Sequence, residues 1–359
     1  NPARSRASIK LRHVWVPRRL PSTQDLIREK PLAKSGKIAS HYTKSQEGML
    51  TLESLAGLAK PEYFFRPHQI GRRLWREVAG RKKEVKIVRL PWGLEITVDI
   101  GESIGWSVYT RAIYETAVTE ALWRLVKPGD SVVDGGANIG YMTSILAVRV
   151  GERGKVYCFE PHPEVFRDLQ QNVRTWETNK QCGSFLLYQI ALGAREGVEA
   201  LRVPEFFSTN RGVSWIETGN THGEGQNLQV RVLALDEVIP EHETIGVVKL
   251  DVQGYELAVL KGMERILRDR RVRHVVFEEL EDFPAATHEF LREMGYANYG
   301  IEPHFRGIRC IRDAQPHCDP VNGPPPNYLA TLEPELNVSR LQSGFWQSFG
   351  PGQLLGKWF

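Results

Sequence analysis

The sequence predicts an α/β fold: a mostly parallel sheet with helices on both faces, preceded by a basic N-terminal extension. Three observations carry this expectation. Between Ser131 and Met294, apolar runs of strand length alternate with amphipathic stretches of helical length, and that alternation implies a parallel sheet buried on both sides. A glycine-rich turn, Gly135-Gly136-Ala137-Asn138-Ile139-Gly140, joins the first of these runs to the first of these helices. Charge is divided along the chain: residues 1–89 hold 21 Lys and Arg against 7 Asp and Glu, and the remainder holds 26 against 36. A basic head on an acidic body reads as two functional parts, the head being open to an anionic partner or simply solvated.

Taken in order, Met49–Leu58 has the spacing of a short helix, and Tyr63–Val78 mixes aromatics with arginines as a docking helix would. Lys86–Leu90 and Leu94–Ile100 read as a hairpin turning at Pro91-Trp92-Gly93. Apolar residues at Ala117, Val118, Ala121, Leu122, Leu125 and Val126 give Ala112–Val126 one buried helical face. Strands are expected at Ser131–Asp134, Lys155–Phe159, Phe185–Ile190, Ile245–Leu250 and His274–Glu279. Helices are expected at Ile139–Val150, Pro163–Thr175, Tyr255–Arg268 and Ala285–Met294. Val198–Val203 and Leu228–Val232 read as a strand pair flanking a long polar loop, Pro204–Asn227, with Phe206, Phe207 and Trp215 as apolar anchors. A loop of that length inside a domain is either functional or disordered; a substrate lid is the expectation. The division is therefore a head at 1–85, partly helical or disordered, a domain at 86–315, and a Pro-rich, then aromatic tail at 316–359.

Composition narrows the function classes. Hydrophobic residues make up 41% and charged residues 25%, which excludes a wholly disordered chain. No apolar run has the length a membrane span needs. The four cysteines, Cys158, Cys182, Cys310 and Cys318, form no C-x-x-C pair and cannot staple a domain of this size, so a reducing, cytoplasmic location is expected. No clustered set of metal ligands stands out, and none is expected.

Backbone N–H groups at a glycine turn opening a helix can approach a ligand closely. A dinucleotide fingerprint would need glycine at positions 135, 137 and 140, but 137 is Ala. The alternative register, Asp134, Gly136 and Gly140, belongs to S-adenosylmethionine binding. Glu160 follows the strand Val156-Tyr157-Cys158-Phe159, where an acid accepts hydrogen bonds from ribose hydroxyls in either kind of site. Asp251 ends the buried strand at 245–250, and Glu256 opens the next helix. Both acids can face the crevice at the strands' carboxyl ends, or cap the helix.

Five segments in order, VVDGGANIGYMT, FEPHPEVFRDLQQNV, Ile190-Ala191-Leu192-Gly193, LALDEV and KLDVQGYELAVLKG, resemble the FkbM-type methyltransferases over about residues 110–300. The resemblance implies a Rossmann-like class I methyltransferase fold, S-adenosyl-L-methionine as cofactor, and O-methylation of a hydroxyl on a sugar, glycan or other small-molecule acceptor. It further implies Asp134, Gly136, Asn138 and Gly140 at the methionine end, with Gly135 and Ala137 of the same turn also among the cofactor-binding residues. Glu160 is implied at the ribose, Ala191 and Leu192 at the adenine, and Glu115 at the amino group. Gln253 departs from the family's usual Glu. For the proton of an acceptor hydroxyl, Asp251 and Glu256 are the candidate bases; His162, between two prolines, is a third. Two other classes stay open: an NAD-dependent oxidoreductase on the same architecture, and a non-catalytic binding protein that works through its basic head.

Overall fold

The computed structural model describes residues 83–217, 225–316 and 326–348. The two helices expected near 49–58 and 63–78, and nearly all of the basic head, lie outside these residues.

The alternation in the sequence becomes two apolar cores on either side of one sheet. Successive side chains on a strand point to opposite faces. In β3 (Ser131–Gly135), Val132 joins one core and Val133 the other. β4 (Lys155–Phe159) and β10 (Ile245–Leu250) divide in the same way, Val156 from Tyr157 and Val247 from Val248. The first core is closed by α2 (Thr116–Leu125), α3 (Tyr141–Val150) and α4 (Pro163–Trp176). The second is closed by α5 (Leu235–Val238), α6 (Glu256–Lys261), α7 (Glu264–Arg268) and α8 (Ala286–Glu293).

The sheet has eight strands in the order β13-β12-β14-β11-β10-β3-β4-β5. β5 is Ser184–Tyr188 and β11 is Val272–Glu278. The pairings among β11, β10, β3, β4 and β5 are parallel. β12 (Ala297–His304), β13 (Gly307–Arg312) and β14 (Asn327–Thr331) add antiparallel pairings, with β14 inserted between β11 and β12. A smaller sheet of β6 (Ala191–Leu192), β7 (Gly197–Val203), β8 (Trp215–Ile216) and β9 (Gln226–Leu233) stands beside it. The hairpin of β1 (Val85–Arg89) and β2 (Glu95–Asp99) is tied to α4, where Asn172 accepts from Thr97 N–H at 2.8 Å and Trp176 donates to Glu95 O at 2.6 Å.

Three expectations change. The stretch at 112–126 is broken: α1 (Ser103–Arg111) ends at Ala112, and α2 begins only after Glu115, both residues having left-handed backbone at φ 56° and 45°. The helix expected at 255–268 is interrupted at Gly262, where a Cβ would lie 1.8 Å from Gly193 O, so the two backbones touch. Beyond residue 315 the chain does more than wrap the body. It supplies β14 and α9 (Pro334–Gln342), and the segment after α9 is held by the buried pair Arg124–Glu120. Arg124 donates to Arg340 O and Phe345 O at 3.0 and 2.8 Å, and Glu120 accepts from Gln347 and Ser348 N–H at 2.8 Å each. The cavity lies at the carboxyl ends of β3, β4, β10 and β11.

Candidate active site

A cavity of about 290 Å³ opens at those carboxyl ends. Its wall brings together Glu115, Gly136, Ala137, Asn138, Glu160, Ala191, Leu192 and Asp251, eight of the residues singled out from sequence. Four others, Asp134, Gly135, Gly140 and Glu256, are not on it.

The glycine turn works differently from the expectation. Every N–H from Gly136 to Gly140 is already used inside the protein. Gly136 and Ala137 donate to Phe159 O at 3.0 and 2.9 Å, Asn138 to Glu160 Oε2 at 3.0 Å, Ile139 to Asn138 Oδ1 at 2.7 Å, and Gly140 to Ala137 O at 2.9 Å. Gly136 adopts φ 71°, and a Cβ there would stand 2.0 Å from Asp251 O, so its bareness lets the β3 turn pass against the end of β10. Gly140, at φ 95°, faces Leu169 and Trp176 in the core.

Asp134 is fully buried beneath the cavity floor. It accepts from Thr143 Oγ1 at 2.6 Å and lies 3.4 Å from Lys249 Nζ. Lys249, in the buried strand β10, also reaches Asp251 Oδ2 at 3.6 Å and donates to Gly136 O at 3.0 Å. Burial opposes its charge, but Asp134, Asp251 and Glu115 outweigh burial and raise its pKa. Lys249 thus locks the glycine turn to the end of β10.

Four acids, Glu115, Glu160, Asp251 and Glu278, stand on the cavity wall. Glu160 accepts from Asn138 and His162 N–H, and burial raises its pKa to about 7 in spite of those bonds. Glu115 is pushed up to about 7, first by burial and then by the charge of Asp251. Glu278, at the end of β11, is raised well above the carboxylate range by burial and then by Asp251 and Glu115. Gln253 joins two of these acids: its Nε2 donates to Asp251 Oδ1 at 2.7 Å and to Glu278 Oε2 at 3.1 Å. An amide donates to two carboxylates without itself carrying a charge, which a Glu at this position could not do.

Glu256 has no place in the cavity; it braces the turn between β10 and α6. It is 2% exposed, its Oε1 accepts from Val252 N–H at 3.0 Å, and burial raises its pKa to about 8. His162 is a cap: its Nδ1 accepts from Glu164 N–H at 3.3 Å, and its ring lies 4.4 Å from that of Phe207.

The described part of the long loop does border the cavity through Asn210, Arg211, Gly212, Val213 and Ser214. Ser103 N–H donates to Thr209 O at 3.0 Å, and Asn138 Nδ2 to Arg211 O at 3.3 Å, which holds the loop over the glycine turn.

The sequence reasoning missed Lys249, Glu278 and Arg211. A lysine inside an otherwise apolar strand was a usable signal, because lysine is almost never fully buried without a partner. Glu278 follows the same rule at the end of an apolar run. Nothing in the polar loop marks Arg211.

Residues 134–299, just under half of the chain, match the family model described as the methyltransferase FkbM domain, in agreement with the resemblance read from the five segments. The chain is 28% identical over 166 residues to the hexuronic acid methyltransferase AglP of Haloferax volcanii, a match that covers 46% of this chain and 62% of that protein. Among solved structures it is similar to the methyltransferase FkbM from Methylobacillus flagellatus KT, at 17% identity and a TM-score of 0.37, over 62% of this chain and 52% of that one. It is also similar to a SAM-dependent O-methyltransferase from Thermotoga maritima, at 15% identity and a TM-score of 0.34, over 68% and 77% of the two chains. The chain thus spans less than two thirds of the curated relative it matches. Among the described residues, no helix is long and apolar enough to cross a membrane.

Proposed function

We propose that this chain, with its FkbM methyltransferase domain at residues 134–299, uses S-adenosyl-L-methionine to methylate a hydroxyl on a sugar, glycan or other small molecule. The observation that carries the reading is the charge and donor pattern of the cavity. A pyrophosphate needs free backbone N–H groups at the glycine turn, and here all five are engaged. Glu115, Glu160, Asp251 and Glu278 suit a ligand that is positively charged and rich in hydroxyls, and they oppose a dinucleotide. The Ala at position 137 argues in the same direction.

The residues present fit that cofactor. Glu160 stands at the end of β4 with each oxygen holding one N–H and retaining acceptor capacity for ribose hydroxyls. Ala191 and Leu192, with Ile190, give a small apolar wall for the adenine. Glu115 faces the acid-lined floor and suits the ammonium group. When bound, the cofactor supplies an electrophilic methyl carbon activated by its sulfonium charge. Asp251 reaches the cavity with a side chain 26% exposed, while Glu256 does not reach it, so Asp251 is the base for the acceptor hydroxyl's proton. Gln253 fixes one oxygen of Asp251 and Lys249 approaches the other, so the carboxylate is oriented before an acceptor arrives, and such positioning lowers the barrier.

The likeness to a protein named as a hexuronic acid methyltransferase supports a sugar here. Titration calorimetry with S-adenosylmethionine and with NAD tests the cofactor. Tight NAD binding with no S-adenosylmethionine signal would sink the reading. Transfer of a labelled methyl group to a glycan fraction, with alkali-stable ether linkage of the label, tests the acceptor class.

A further inference from the structure

Among the described residues, two basic ones border the cavity, Lys249 and Arg211. They are not equivalent. Lys249 is occupied by Asp134, Asp251 and the Gly136 carbonyl beneath the floor. Arg211 sits on the loop that covers the glycine turn, and its side chain is 16% exposed. Its Nη1 donates to Asp168 Oδ2 of α4 at 2.5 Å, and among the described residues its guanidinium makes no other hydrogen bond. A guanidinium has five N–H donors in a planar fork. Most of that fork therefore remains for a ligand. Its backbone is anchored beside the turn by Asn138, whose Nδ2 donates to Arg211 O.

On the S-adenosylmethionine reading, every other charged group on the cavity wall is an acid or is already neutralised. Yet the cofactor carries a carboxylate, and a sugar acid would carry another. We propose that Arg211 is the carboxylate-binding residue of this site, presented by the covering loop while Asp168 steadies its guanidinium. The carboxylate is either the cofactor's own or the acceptor's, and the two sources are separable by experiment.

The test uses the full chain and calorimetry with three probes: S-adenosylmethionine, decarboxylated S-adenosylmethionine, and D-glucuronate added to protein saturated with S-adenosylhomocysteine. Hydrogen bonds to a charged group correspond to roughly 10- to 100-fold in affinity. If the cofactor is the source, Arg211→Ala weakens S-adenosylmethionine by about that factor and leaves the decarboxylated analogue unchanged. If the acceptor is the source, Arg211→Ala leaves S-adenosylmethionine unchanged and abolishes saturable glucuronate binding. Asp168→Ala breaks the same ion pair but keeps the cation, so it retains most of the affinity in either case; Arg211→Lys falls between. The proposal is overturned if Arg211→Ala alters none of the three probes, or if Asp168→Ala weakens binding as much as Arg211→Ala, which would make the pair a loop latch only. If the unaltered chain binds no S-adenosylmethionine, the cofactor reading falls first and this proposal with it. Normal cofactor binding by the unaltered chain, with no effect of Arg211→Ala on any of the three probes, defeats the proposal alone.

Discussion

Replacing Gly136 by alanine is expected to damage the chain's folding as well as its ligand binding, because the added methyl points into protein and away from the cavity. Its Cβ would lie 2.0 Å from Asp251 O and 3.0 Å from Asp251 C, against the 3.4 Å at which ordinary contact begins. Relief requires the β3 turn and the end of β10 to part by about 1.4 Å. That displacement strains two links across the gap, Asp251 N–H to Gly135 O at 3.1 Å and Lys249 Nζ to Gly136 O at 3.0 Å. The left-handed backbone costs a non-glycine residue about 1–2 kcal/mol, overpacking about 1–3, and the weakened hydrogen bonds about 1 more. A loss of about 3–6 kcal/mol corresponds to a fall in Tm of about 10 °C for a domain of this size. Gly140→Ala is the comparison. Its Cβ meets the Leu169 and Trp176 side chains at 2.8 and 3.1 Å, which can shift where a backbone carbonyl cannot, so the fall should be smaller. Differential scanning calorimetry of both variants, followed by S-adenosylmethionine titration at a temperature where each is folded, gives the answer. A Gly136→Ala protein that melts with the wild type and binds the cofactor normally would refute the reasoning.

Further outcomes follow from the same geometry. Asp251→Asn should lower kcat for methyl transfer by about 10²–10⁴-fold with the cofactor Kd little changed, whereas Glu256→Gln should turn over at the wild-type rate; steady-state kinetics with an identified acceptor distinguishes the two. Glu160→Ala should weaken S-adenosylmethionine by about 10- to 100-fold, and it should also lower Tm, since Asn138 and His162 each lose an acceptor. Glu160 and Glu256 are raised from 4.5 to about 7 and about 8 in the folded chain. The folded state therefore holds protons that the unfolded state has released. Their contribution is complete below about 4.5 and is lost as pH rises through 7 and 8; urea denaturation between pH 5 and 9 should show the decline, and Glu256→Gln should flatten its upper part. Removing residues 1–60 should leave cofactor binding intact, because the cavity wall formed by the described residues runs from Ile104 to Glu278; calorimetry on the truncated chain checks this.

The parts of the fold that were legible in the sequence are those where one physical signal dominated. The strand at 155–159 and the strand at 245–250 have the bounds expected of them, because each is a short apolar run between breakers. Glu160 and Asp251 were legible as strand-end acids for the same reason, and both reach the cavity. Backbone contact between segments distant in sequence was not legible. Nothing local says that Gly262 touches Gly193, so a continuous helix was the natural expectation. The glycine turn was recognised from its composition, but the destination of its N–H groups depends on Phe159 and Glu160, one strand away. Glu256 illustrates the limit from the other side. An acid at the start of a helix can cap it or face a ligand, and nothing local says that Glu256 instead turns back to hold Val252 N–H, ahead of the helix.

The insertion of β14 has a consequence for the order in which the molecule is made. β14 comes late in the chain, yet it lies between β11 and β12, with no direct pairing between those two. During synthesis the strand that ends in Glu278 therefore has an open edge, and so does the β12–β13 hairpin, until residues 327–331 emerge. Two unpaired edges of this kind invite wrong pairing. Closure then brings the Arg124–Glu120 clamp into reach of the segment that follows α9. A nascent chain released before residue 327 would carry the cavity's residues on the parallel strands β4, β3, β10 and β11, with the β11 edge beside Glu278 still open.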